Sequence, residues 1–268
     1  IDACLVGSEM CIRDRHTNGT HEKRLSTQQT SSSLTRRKIK MAKSDEIRKR
    51  LEQSGVRYWA GDNISEVLQE GDKQELIEEL TGKFNGVLDS LLIDRNTDPN
   101  SMDTGRRLAK MYINELMSGR YEPMPNATAF PNHIEDGYKG MLVVRSELTS
   151  VCSHHHQPVR GVAYIGILAA EKLIGLSKYT RIAQWCARRG TLQEELNNDI
   201  AREIMKVTDS KDVGVYVQAT HGCCENRGIK AHSSLTQTTV LEGAFFKDAG
   251  TKAEFFNQIK LQQEFAPR

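Results

Sequence analysis

From Met41 onward the apolar residues recur first with a helical period and then, beyond residue 138, with a strand period. "SDEIRKRLEQSG" predicts a helix capped by Ser44 and stopped by Gly55. "DKQELIEELTGKFNGVLDSLLI" keeps apolar positions on one helical face, "DRNTDPNSMDTG" is a turn cluster, and "RRLAKMYINELMSG" predicts a third helix ending at Gly119. "RYEPMPNATAFPNHIEDG" holds three of the chain's six prolines and reads as loop and edge structure.

The second half alternates differently. "YKGMLVVRSELTSVC" and "GVAYIGILAA" read as strands, followed by two helices, "LSKYTRIAQWCARRG" and "TLQEELNNDIAREIMKVT", separated at Gly190. "DVGVYVQATH" and "SLTQTTVLEGAFF" predict two more strands, and "GTKAEFFNQIKLQQEF" a closing helix. Two strands, two helices and two strands behind a helical N-terminal region make an α+β architecture without an internal repeat.

Composition narrows this picture. The chain has 268 residues, 27% of them charged. No apolar run approaches the roughly 20 residues of a membrane helix, so no membrane partner is expected, and cysteines expected to be reduced, without a secretory signal, point to a cytoplasmic protein. Eight of the 37 Lys/Arg and four of the 35 Asp/Glu fall in residues 1–40, so 29 basic residues face 31 acidic ones from Met41 onward. A slightly acidic body argues against nucleic acid as a partner. Residues 1–40 carry "STQQTSSSLTRRKIK", which has no period, and "VGSEMCIRDR", which resembles translated adaptor sequence from a contig end. Met41 is therefore expected to be the true start, and residues 1–40 a disordered, non-native leader. Four of the six cysteines remain beyond it, Cys152, Cys186, Cys223 and Cys224, and are expected to be reduced.

The chemistry-bearing stretch is "CSHHHQP", residues 152–158. A thiolate and an imidazole three positions apart, Cys152 and His155, can close on one ion through a tight turn. A second thiol-rich turn, "HGCCENRG", follows the third strand. One distant thiolate added to the local pair makes three ligands and leaves a fourth position for water, the pattern of a catalytic zinc. Cys224 or His156 could also complete the set. Lys178 and Arg181 fall at i, i+3 on one helix, just after Ser177, and Arg227 follows the second turn. Cations converging from separate elements suit a polyphosphate, although each alone fits a solvated face.

The run from "VCSHHHQPVRGVAYIGILAAEKLIGLSKYTRIAQWCARRGTLQEELNNDIA" to "ATHGCCENRGI", with "DTGRRLAKMYINELMSG" upstream, resembles the GTP cyclohydrolase I family over roughly Leu88 to Phe246. The resemblance implies that Cys152, His155 and Cys223 hold Zn2+, and that His154 and His221 transfer protons. It places Arg107, Ser177, Lys178, Arg181 and Arg227 at triphosphate and substrate-orienting positions, and Gln193 and Glu194 at substrate recognition, with Glu194 anchoring guanine. It further implies a tunnelling fold: a four-stranded antiparallel sheet with two helices between strand pairs. Residues 41–119 would then be the N-terminal helical region and residues 120–268 the zinc-binding catalytic domain. The implied reaction is zinc-assisted hydrolysis of GTP at purine C8, with formate release and rearrangement to 7,8-dihydroneopterin triphosphate for pterin, folate or deazaguanine synthesis. The implied assembly is a toroidal homodecamer of two pentamers with shared active sites.

Three departures mark a divergent branch: Ser153 where the family has Glu, His156-Gln157 where it is apolar, and Thr104-Gly105-Arg106-Arg107 in place of a Thr-Pro-x-Arg pattern. None removes a ligand or an acid–base group, and His156 is expected to be exposed or to pack. Two rivals use the same features. A same-fold deazaguanine nitrile reductase would not need Lys178, Arg181 and Arg227. A non-catalytic zinc-stabilised interaction module would not need His154 and His221.

Overall fold

In the computed structural model, which describes residues 41–132 and 137–265, the chain is an α+β molecule built on antiparallel sheets. The expectations for residues 1–40 lie outside the described residues. The N-terminal region holds α1 (Lys43–Ser54), α2 (Asp72–Ser90), α3 (Thr104–Lys110), a π-helical turn over Met111–Leu116 and α4 (Ser118–Tyr121). A two-stranded ribbon pairs β1 (Ala129–Pro131) with β4 (Lys172–Ile174). The main sheet has the order β2 (Met141–Val151), β3 (Pro158–Leu168), β5 (Val213–His221), β6 (Thr236–Leu241). Between β4 and β5 run α5 (Leu176–Ala187) and α6 (Gln193–Thr208). The one-turn α7 (Gly222–Glu225) follows β5, and α8 (Ala244–Lys247) and α9 (Ala249–Phe265) close the described chain.

The sheet is clothed on both faces, for reasons visible in its alternation. Ala163, Ile165 and Ile167 of β3 and Val213, Val215 and Val217 of β5 face α5 and α6, which return Tyr179, Ile182, Ala183, Cys186, Ile200 and Ile204. These helical positions follow the i, i+3, i+4 rule, and burying each large aliphatic side chain contributes about 1.5–3 kcal/mol. The opposite face packs Tyr164 and Met141 against Phe245 and Phe255. Gly166 and Gly214 are cross-strand partners there. A Cβ on Gly166 would lie 2.6 Å from the Phe255 ring, and one on Gly214 2.8 Å from Phe245. The paired glycines let the edge-to-face Phe245–Phe255 pair sit directly on the backbone.

The structure departs from the periodic reading in several places. Ser44 does not cap α1; the cap is Ala42, and Ser44 instead donates from its N–H and Oγ to Glu79 on α2. Gly55 does end the helix, in the left-handed conformation. The expected single third helix is interrupted, with Met117 N–H donating to the Tyr112 carbonyl five residues back. β3 begins three residues before its expected start. The expected fourth strand ends at Leu241, because Gly243 turns the chain at positive φ into α8.

Candidate active site

The thiol and histidine candidates gather at one end of the main sheet. β2 ends at Val151, immediately before Cys152; β5 ends at His221, which pairs in register with Val159 near the start of β3; α7 then carries Cys223. The six-residue connection from β2 to β3 is closed by Cys152 N–H donating to the Gln157 carbonyl (3.0 Å) and His156 N–H donating to the Cys152 carbonyl (2.9 Å). His156 takes the left-handed backbone at φ 50°, where histidine is tolerated more than most side chains.

Cys152, His221 and Cys223 place one ligand atom each within 4.8 Å of one another. Cys152 is buried, the other two half-buried, and all four described cysteines are free thiols. His154 Nδ1 lies 3.9 Å from Cys152 Sγ, and Cys224 Sγ lies 4.0 Å from Cys223 Sγ. Burial and the neighbouring thiols of Cys152 and Cys224 push the Cys223 thiol up to about 11. Burial lowers the His221 imidazole below its ordinary value, against the pull of the Glu194 and Glu225 carboxylates.

His221 Nε2 sits 2.7 Å from Gln193 Oε1. The Gln193 amide nitrogen donates to the carbonyls of Val217 and Thr236 and to Thr238 Oγ1, which fixes which end of the amide faces the imidazole. His221 therefore donates from Nε2, leaving Nδ1 with the lone pair. Gln193 is only 4% exposed, so it stands behind His221 as a support rather than at an open recognition surface. The sequence held a signal for this, since position 193 falls on the inward stripe of α6 with Leu196, Ile200 and Ile204.

The other candidates are distributed more loosely. His155 is exposed and accepts at Nε2 from Arg227 (3.0 Å), so the two turns touch through a metal candidate and a phosphate candidate. Glu194 is exposed in the first turn of α6. Ser177 and Arg181 are exposed on α5, and Lys178 Nζ donates to the Asn126 carbonyl. Arg107 lines a cleft of about 350 Å³ with Asp103, Arg106 and Lys110, a lining that includes none of the thiols or histidines of the two turns. His156, given no chemistry from sequence, is exposed and rests against Tyr112.

With this geometry in view, comparison with known proteins is informative. The family model for GTP cyclohydrolase I matches residues 82–260. The chain is 36% identical over 189 residues to GTP cyclohydrolase 1 of Aeromonas salmonicida (strain A449), covering 70% of this chain and 85% of that protein. It is 40% identical over 167 residues to GTP cyclohydrolase 1 of Shewanella denitrificans, covering 62% of this chain and 76% of that protein. The matched span contains every candidate residue named above.

Proposed function

The chain belongs to the GTP cyclohydrolase I family and is an enzyme of that type, and we propose that it hydrolyses GTP at purine C8 in a zinc-dependent reaction, releasing formate and yielding 7,8-dihydroneopterin triphosphate. The observation that carries this reading is the meeting of Cys152 with His221 and Cys223, two segments 69 and more residues apart in sequence, at one sheet end. Two thiols and an imidazole are a donor set suited to zinc, which prefers sulfur and nitrogen ligands. When bound, zinc supplies a Lewis acid that makes water nucleophilic near neutral pH.

We assign the ion to Cys152, His155 and Cys223, and proton transfer to His154 and His221. Gln193 holds the His221 ring with Nε2 as donor, which suits a group that must present one nitrogen to a reacting atom. His155 shares a turn with Cys152, accepts from Arg227 and sets its ring edge-on to that of His154, so joining the thiols takes a side-chain rotation on an exposed turn. A second reading makes His221 the third ligand, and the 4.8 Å grouping favours it. Zinc content decides: His155→Ala should lose the metal and His221→Ala should keep it, and the reverse pattern transfers the ligand role to His221.

Substrate binding follows from the same surfaces. Ser177 and Lys178 stand in the first turn of α5, where the helix dipole favours phosphate although the Lys178 N–H already donates to the Gly175 carbonyl, with Arg181 and Arg227 adding charge. Glu194 offers a carboxylate to the guanine N–H groups, and Gln193 serves the substrate through His221. Arg107, which lines a cleft without the thiols within one chain, is assigned to the site of a neighbouring copy, in keeping with a toroidal decamer in which residues 41–119 support the catalytic domain 120–268. Purified protein incubated with GTP and zinc should release formate and form a pterin that fluoresces after oxidation. Unconsumed GTP would overturn the proposal.

A further inference from the structure

The connection that carries Cys152 and the three histidines is sparsely held from within. Its backbone bonds are Cys152 N–H to Gln157 and His156 N–H to Cys152, and all three imidazoles are exposed. His156 is also in the left-handed backbone conformation, at φ 50°. Such a turn would not by itself keep a thiolate and an imidazole aimed at one ion.

Support comes from a distant part of the chain. The Tyr112 ring lies 5.6 Å from the His156 ring at an interplanar angle of 41°, and its other neighbour is Phe84 of α2, 5.5 Å away and nearly parallel at 23°. Tyr112 stands in the π-helical turn that interrupts the expected third helix, and its carbonyl accepts the five-residue bond from Met117. A π turn shifts the following side chains around the helix relative to a regular one, and such turns occur often at functional sites. Phe84 and Tyr112 thus stack and Tyr112 meets His156 at a tilt, a row of three rings in contact running from α2 through the π turn to the loop between β2 and β3.

We infer that Tyr112 is a positioning residue for the metal-binding turn, acting through His156, so that the N-terminal helices set how tightly the Cys152 turn holds its ion. The inference rests on the zinc reading above and assigns a role to two residues outside the ligand and substrate-binding sets proposed there. It also makes His156 more than a filler of exposed space: its ring is the contact through which the turn is steadied.

The test measures the zinc affinity of the full chain by competition with a chromophoric chelator. Tyr112→Ala should weaken zinc by roughly ten- to a hundredfold, the usual effect of removing a group that orients a ligand. Tyr112→Phe, which keeps the ring, should rescue affinity to within about threefold of wild type. His156→Ala should match Tyr112→Ala, and the double variant should be no worse than either single one, because both remove one contact. Unchanged affinity in Tyr112→Ala, no rescue by phenylalanine, or fully additive losses would each overturn the inference. Hydrogen exchange of the His156 amide in the metal-free chain tests the contact without zinc. It should quicken at least about tenfold in Tyr112→Ala and stay unchanged in Tyr112→Phe. A wild-type chain that binds no zinc but shows this exchange shift defeats the metal assignment alone. Unchanged exchange defeats the stack as a support.

Discussion

The N-terminal helices and the sheet layer are held together by different chemistry. Between the sheet and α5 and α6 lies one large apolar core in which Ile165, Ile182, Ile200, Ile204 and Val215 are wholly buried. The helical region has only small apolar groups, such as Ile47, Leu51 and Ile64, or Ile77, Ala109 and Ile113. Polar links supply the rest of its cohesion. Asp72, 3% exposed, meets Arg50 and Lys43; Ser44 bonds Glu79; and the Arg120 guanidinium donates to the carbonyls of Tyr58, Trp59, Ala60 and Asp62. Apolar burial is non-directional and tolerates small shifts, whereas these links hold only at fixed geometry. The candidate site lies where the well-packed layer ends, and the inferred aromatic stack reaches it from the polar region.

The sharpest way to separate stability from chemistry is His221→Ala. It should lower turnover by roughly 10²–10⁴, the usual worth of an acid–base group, while the melting temperature moves by no more than a few degrees. A large loss of melting temperature would mean that His221 belongs to the core's cohesion instead. Breaking the apolar layer is the next largest effect. Ile200→Ala should cost about 2–5 kcal/mol in denaturant unfolding, by lost burial plus a cavity. A cost below about 1 kcal/mol would mean that the layer relaxes around the gap.

The polar region should be more sensitive to charge than to volume. Asp72→Ala should cost about 1–3 kcal/mol, because Arg50 and Lys43 lose a buried acceptor. Ile47→Val, removing one methylene nearby, should cost about 0.5–1.5 kcal/mol. Equal costs would erase the contrast between the two regions.

The smallest expected effect depends on pH. Burial raises the Glu79 carboxyl, but hydrogen bonds from Lys83 and Ser44 outweigh this and hold it at about 2. A carboxyl depressed in the folded state contributes stability that is fully present above its ordinary value and lost as pH falls through the folded one. Glu79→Gln should therefore destabilise by a few tenths to about 1 kcal/mol at pH 7, with the difference from wild type vanishing by about pH 2. A difference independent of pH would assign the effect to shape rather than charge.

The sequence by itself determined the elements whose signal is local. The inward stripe of α5 and α6, the alternation of β2, β3 and β5, and the stop at Gly55 follow from side-chain period and backbone freedom over a few residues. It also pointed to Cys152 and to the Cys223–Cys224 turn, since thiols beside histidines in turns that end strands are a local pattern, while the choice of Cys223 between the two came from the family resemblance. The tertiary structure decided everything that needed a partner from far along the chain. Ser44 became a ligand of Glu79 rather than a helix cap, Gln193 turned inward to hold His221, and His155 met Arg227. Met111–Leu116 widened into a π turn with Tyr112 against His156. A polar or aromatic side chain can satisfy itself in several ways within its own segment, and only the approach of another segment, with the loss of water that it brings, selects one.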